Sequence, residues 1–178
     1  MGSPVGFTSH KGPQNMAQSV HLSLKSAGQD IQGDSTILSL GRENTIECIY
    51  FSDAVRTARE KSSGMATGDR TYEPLKILKR IDKSSPLLAK ALCNNEMIEG
   101  TFRFFRPSPT GDGTTQQFFT VEISEGRIAG ILRESPNVID PASATAPPTE
   151  EVTFVFGRIR WVYEDGGIEH VDHWSQRT

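Results

Sequence analysis

The chain has 178 residues and a net charge of −3, enough for one domain with a substantial core and too few for a second of ordinary size. Charged residues make up 23% and aromatics 8%, with no basic excess that would draw in nucleic acid or an anionic membrane. Sixteen glycines and ten prolines favour many short β elements over long helices.

In chain order, residues 1–15 open with Met1-Gly2-Ser3, which reads as an expression-vector remnant, and Met16 reads as a natural start. Residues 1–15 are expected to be poorly ordered and 16–178 to form a single domain. The first fifteen residues lack the apolar stretch of a secretory signal. No segment approaches the roughly 20 apolar residues of a membrane span, so neither a cleaved signal peptide nor membrane insertion is expected.

Residues 20–25 alternate apolar and polar side chains, the period of a half-buried strand. Residues 26–35 are polar and predict a loop, and 45–51 predict a second strand. The next stretch, 52–71, is rich in charge, including Arg56, Arg59, Glu60, Lys61, Asp69 and Arg70, with too little apolar content to pack as core. Loops of that length inside compact domains are uncommon and usually functional. We expect an assembly element whose paired charges set register with a neighbouring subunit; a solvated flexible loop is the alternative.

Alternation resumes over 72–81. Ser85 before Pro86 then predicts a helix with a serine N-cap and proline in its first turn. Asp82, just ahead, complements the positive end of the helix dipole. Leu87, Leu88, Ala91 and Leu92 supply an apolar stripe, and Asn94-Asn95 supply a stop.

Downstream, residues 98–106 read as a strand with Ile98, Phe102 and Phe104 on one face. A turn at 110–114 leads into 118–123, and Ser124-Glu125-Gly126 predicts a tight hairpin turn into 127–133. Residues 135–149 hold four of the ten prolines and predict a rigid surface loop. Residues 151–163 are the longest strand candidate, and a turn at 164–167 hands them to 168–174. Both registers of 152–156 are apolar, so this strand needs cover on two sides, from the helix or from a neighbouring subunit through Val155. The pattern is mainly β: an antiparallel β-barrel of two packed sheets with one flanking α-helix.

Little chemistry is on offer. Cys48 and Cys93 belong to no CxxC pair and are expected to be buried reduced thiols, although spacing alone leaves a disulfide open. His170 and Asp172 share a strand face while His173 points away. A zinc site would need further ligands, and only His10 and His21 remain. A monomeric ligand-binding barrel, or a metal-dependent enzyme using His170, Asp172 and His173, is therefore the lesser reading. There is no GxSxG elbow or Walker A loop. Phe102, Phe104, Phe105, Phe118 and Phe119 lack the basic stripe of a base-stacking platform and are expected to be core. No catalytic, metal or cofactor site is expected.

The decapeptide Lys79-Arg80-Ile81-Asp82-Lys83-Ser84-Ser85-Pro86-Leu87-Leu88 is similar to the strand-to-helix signature of haemolysin-coregulated proteins (Hcp). Residues 95–107, 117–123, 151–156 followed by Trp161, Asp165-Gly166-Gly167, and His173-Trp174-Ser175 resemble the same family in the same order. The resemblance runs from Met16 to the end of the sequence, and residues 1–15 match nothing in the family. It implies structural roles for Asp82, Lys83, Ser85, Pro86, Leu88 and Trp161. It further implies a non-enzymatic subunit, without cofactor, of a homohexameric ring in a bacterial type VI secretion system. Such rings stack into a hollow tube inside a contractile sheath, tipped by a spike protein and built in the cytoplasm. The tube is then expelled into the medium or a target cell, with small effector proteins in its lumen. Hcp proteins place an extended loop after the second strand at subunit and ring contacts, the position held here by residues 52–71.

Overall fold

A computed structural model describes residues 18–175; the segment 1–15 set aside above lies outside them. The elements are β1 (Ser19–Ser26), β2 (Gln29–Ile31), β3 (Ile46–Arg59), β4 (Ala66–Arg80), α1 (Ser85–Cys93), β5 (Ile98–Pro107), β6 (Thr115–Glu134), β7 (Thr149–Val155), β8 (Arg158–Tyr163) and β9 (Ile168–His173). A 3-10 turn, Ser39–Gly41, lies in the loop before β3. Every strand pairing is antiparallel. The order β1-β3-β4-β7-β6 returns to β1 through β5, so these six strands close a circuit; β2 extends β1, and β8-β9 extend β6. This is the mainly β, one-helix barrel that the alternation predicted.

Period-2 alternation decides which side chains enter the barrel. Leu22 and Leu24 of β1, Leu75 and Ile77 of β4, Phe102 of β5, Val121 and Ile123 of β6, and Val152 and Phe154 of β7 are all buried, and with Ile159 of β8 they form one cluster. Each such side chain contributes roughly 1.5–3 kcal/mol on leaving water. Of the phenylalanines expected in the core, Phe102 and Phe105 are buried and Phe104 and Phe119 half-buried. The half-buried Phe118 lies under Arg106, whose guanidinium is 4.7 Å from the ring centroid. Phe105 lies on the other face of β5 from Phe102 and Phe104, buried against His21 and under the Arg42 guanidinium, outside the core cluster.

Two predicted boundaries move for one reason. Ser124-Glu125-Gly126 is no hairpin turn: β6 runs straight through it as a single 20-residue strand. Glu125 has φ of 55°, and a Cβ on Gly126 would stand 2.9 Å from the Val155 carbonyl oxygen. The positive-φ residue and the glycine therefore make a barrel corner, as bulged strands do. Before the corner β6 pairs β5 and β8; after it, β7. Facing it, the predicted strand 151–163 kinks at Phe156-Gly157 into β7 and β8, with the Gly157 N–H bonded to the Ser124 carbonyl at 3.1 Å. In β7 the second apolar register reduces to Val155, which is half-buried.

The predicted loop 52–71 is also corrected. β3 and β4 continue through it as a paired ribbon, leaving only residues 60–65 as turn. Few apolar residues mark these strands because neither face of the ribbon packs on the core. The loop 26–35 likewise contains β2, whose Ile31 is buried.

The helix starts one residue earlier than its sequence signal. Ser84 holds the N-cap position and makes no side-chain cap bond. Asp82 does the capping instead, accepting the Ser84 backbone N–H at 2.9 Å. The Ser85 hydroxyl turns inward to Glu150. Leu88 and Ala91 are buried and Leu92 packs at the margin, whereas Leu87 is 43% exposed, so the stripe is narrower than predicted. Asn95, with φ of 50°, ends the helix as expected. Both cysteines are free; Cys48 is buried, but Cys93 is exposed at the helix end, which corrects the expectation of two buried thiols.

Candidate assembly arm and its anchorage

Beyond the barrel, the two strands of the β3–β4 hairpin pair, among the described residues, only with each other. β3 bonds β1 through Ile46–Cys48, and β4 bonds β7 from Leu75 to Arg80. Between the pairs Ala54↔Glu73 and Arg59↔Ala66 neither outer edge pairs with another strand among the described residues, and such edges are ready templates for another chain. Residues 58–69 are all exposed, and Met65 near the tip is 69% exposed. The tip is closed by Glu60 N–H to Met65 O and Gly64 N–H to Glu60 O, both 2.9 Å.

The predicted contact residues distribute unevenly. Arg56 pairs with Glu73 at 3.1 Å, both exposed, a bond worth at most about 1 kcal/mol. Arg59 donates to the Gly64 carbonyl, and Ser63 donates to Glu60. Lys61 lies in the turn and Asp69 on the exposed part of β4. These five stand together on the outer arm. Arg70 sits at its base and turns back to the barrel. Val155 is not on the arm but on β7, one position past its last pair with β4.

An isolated two-stranded ribbon is marginal in water, so its base matters. Tyr72 is the hub there, with ring centroids 5.4 Å from Phe156, 5.6 Å from Trp174 and 6.4 Å from Trp161. The Trp161 indole N–H donates to Asp53 of β3 at 2.8 Å. The Asp172 carboxylate of β9 accepts two N–H groups from the Arg70 guanidinium and the Tyr72 hydroxyl, while the His173 backbone N–H adds a bond at 2.8 Å. A bidentate, charge-assisted pair of this kind is stronger than an open surface bridge. Burial would raise the Asp172 carboxyl, but the bonds from Arg70, Tyr72 and His173 outweigh it and hold it at about 2. Burial first, then Asp172, pushes the Tyr72 hydroxyl up to about 12, so it remains a donor. His170 stacks on Trp161 at 5.9 Å. His170 and Asp172 thus share a face as the alternation predicted, and that face anchors the arm. Among the described residues, no three His, Cys, Asp or Glu are placed to hold a metal.

A second polar cluster lies inside the barrel wall, and this is where the decapeptide acts. Lys79 and Glu150 are direct cross-strand partners, both fully buried. The Lys79 ammonium reaches Glu150 at 2.7 Å, Asp82 and the Arg80 carbonyl at 2.8 Å, and Ser85 at 3.2 Å. Arg133 of β6 bonds Glu150 at 2.8 Å and the Ser85 carbonyl at 3.0 Å. Four elements, β4, β6, β7 and α1, meet on this cluster. Burial would raise the Glu150 carboxyl, but bonds from Lys79 and Ser85 and the charges of Lys79 and Arg133 hold it below the usual range. Of the other motif residues, Lys83 reaches Asn44 at 3.3 Å, Pro86 occupies the first turn and Leu88 is buried in the core. Sequence reasoning gave no role to Glu150 or Tyr72, placed Lys79 only as the first residue of the decapeptide, and counted Asp53 only among the charges of the 52–71 segment. The available signal was a charged residue in an inward register: Lys79 after Leu75 and Ile77, Glu150 before Val152 and Phe154.

The sequence profile of the family described as type VI secretion system effector, Hcp, matches residues 22–163. The chain belongs to the Hcp family. It is 31% identical over 135 residues to the major exported protein of Pseudomonas aeruginosa strain PAO1, covering 75% of this chain and 77% of that protein. Hcp1 from E. coli EAEC 042, solved as a double mutant, is 26% identical with a TM-score of 0.75, covering 89% of this chain and 99% of that one. Secreted Hcp3 from Pseudomonas aeruginosa is 21% identical with a TM-score of 0.69, covering 90% and 100%; at that identity it speaks for the fold alone. Hcp proteins belong to type VI secretion and are not an enzyme family. The mainly β barrel with one helix is the Hcp fold.

Proposed function

We propose that this Hcp protein is the ring-forming subunit of a type VI secretion tube. Residues 16–178 act as one domain that assembles as a homohexamer, and the rings stack into a hollow tube within a contractile sheath. A spike protein tips the tube, and small effectors travel in its lumen. Assembly takes place in the bacterial cytoplasm, and the tube is then expelled into the medium or a target cell. The arm supplies contacts between subunits or rings through Arg56, Arg59, Glu60, Lys61 and Asp69, with Arg70 at its base and Val155 on a separate contact. The observation that carries this reading is the ribbon itself: a charged hairpin held out from the barrel, whose two edges pair with no other strand among the described residues. Ordering a residue costs roughly 1–2 kcal/mol in backbone entropy, and edge strands left open in this way are suited to pairing with a second chain.

Replacing residues 56–67 by a short Gly/Ser linker tests it. The barrel should keep a near-native circular dichroism spectrum. The mass in solution should fall from a ring of 19.6 kDa protomers towards a single protomer, or stacking of rings should be lost. A shortened protein that assembles and is exported like the parent would overturn the proposal.

A further inference from the structure

The arm's direction has to be set where it leaves the barrel, and the ladder there is irregular. Register shifts fall between Cys48 and Tyr50 and between Ser52 and Ala54, so pairing within the hairpin alone leaves its root free to bend. Arg70, opposite Thr57, and Tyr72, opposite Val55, lie on the arm side of those shifts. Asp172 lies on the fixed side, because its cross-strand partner is Ile159, fully buried in the core cluster. Their side chains are largely shielded from water, 18% exposed for Arg70 and 13% for Asp172.

We infer that Asp172 is a positioning residue for assembly: a strut on β9 that locks the arm through Arg70 and Tyr72 at the angle a neighbouring copy requires. This rests on the arm being an assembly element. The planar carboxylate meets both prongs of the Arg70 fork and still accepts the tyrosine hydroxyl, which fixes orientation as well as distance. Asparagine has the same shape but presents one acceptor oxygen and a donor, and cannot satisfy all three donors. The packing of Tyr72 against Phe156, Trp161 and Trp174 survives that change, so the barrel keeps its fold while the arm beyond Tyr72 loses its fixed angle.

Amide hydrogen exchange on the full-length protein, read beside its mass in solution, tests the strut. In Asp172→Asn, amides of residues 54–59 and 66–71 should exchange about tenfold faster or more, as expected for a lost charge-assisted bond. Amides of β5 and β6 should keep parental rates, and the ring population at fixed protein concentration should fall. Arg70→Gln breaks the same pair from the other side and should match. Unchanged arm exchange in both variants overturns the inference, as does acceleration spread evenly over the barrel, or a faster arm with undiminished rings. If the Gly/Ser-linker protein still assembles, the arm reading itself fails. If the linker protein loses rings while Asp172→Asn leaves arm exchange unchanged, the strut alone fails.

Discussion

Lys79 and Glu150 occupy inward positions where the strand pattern calls for apolar side chains, and their cost is met locally. Removing two ions from water costs several kcal/mol each, and their attraction offsets this only when the remaining donors and acceptors are satisfied. Here the ammonium has four oxygen acceptors within 3.2 Å, and each Glu150 oxygen accepts a bond. Lys79→Met takes the buried cation away from Glu150 and Asp82, leaving Glu150 only Arg133 and Ser85, and should lower stability by roughly 3–5 kcal/mol, whereas Lys79→Met with Glu150→Leu should recover much of that loss. Urea titration separates these cases, and a single mutant within about 1 kcal/mol of the parent would contradict the account. The network's contribution is then one of specificity: it fixes where α1 meets the barrel wall.

At the level of elements, the helix shows which parts of the pattern carry energy. Leu88→Ala should cost roughly 2–5 kcal/mol as a cavity in a packed core, and Leu87→Ala, on the exposed side, should stay within about 0.5 kcal/mol. Equal effects in chemical denaturation would place the helix face wrongly. β1, β5 and α1 were legible in the sequence because one face of each is apolar and its period reports directly on burial. The corner in β6 was not, since Glu125-Gly126 encodes a positive φ that a reversal and a bend use equally well. Nor was the ribbon: its two strands pair through backbone groups while their side chains meet water, so no alternation marks them. The anchorage was hidden for a third reason, as Arg70 and Asp172 stand 102 positions apart and no local period links them.

For the molecule as a whole, acid should be the weak direction. His21 is fully buried; Thr45 donates to the Arg42 carbonyl at 2.6 Å, so the His21 Nδ1–H donates to Thr45. Burial, then the charges of Arg42 and Arg103, lower its pKa to about 4, against about 6.5 in an unfolded chain. The unfolded state therefore takes up a proton from about pH 6.5 downwards while the folded state resists until about pH 4. Stability is full above that window and falls within it by roughly 2–4 kcal/mol. Urea midpoints taken between pH 7 and 5, where carboxylates stay ionised in both states, should decline in the parent and flatten in His21→Gln; a flat parent profile would exclude this role. The closed circuit of six strands bears on time as well as on strength. β3 and β4 form a local hairpin, a microsecond event, whereas joining β1 to β5 and β4 to β7 must first overcome the entropy of closing long loops. The arm can therefore nucleate early but, being marginal alone, gains a fixed direction only once the barrel and β9 are in place; on the assembly role proposed above, half-made barrels would not recruit neighbours.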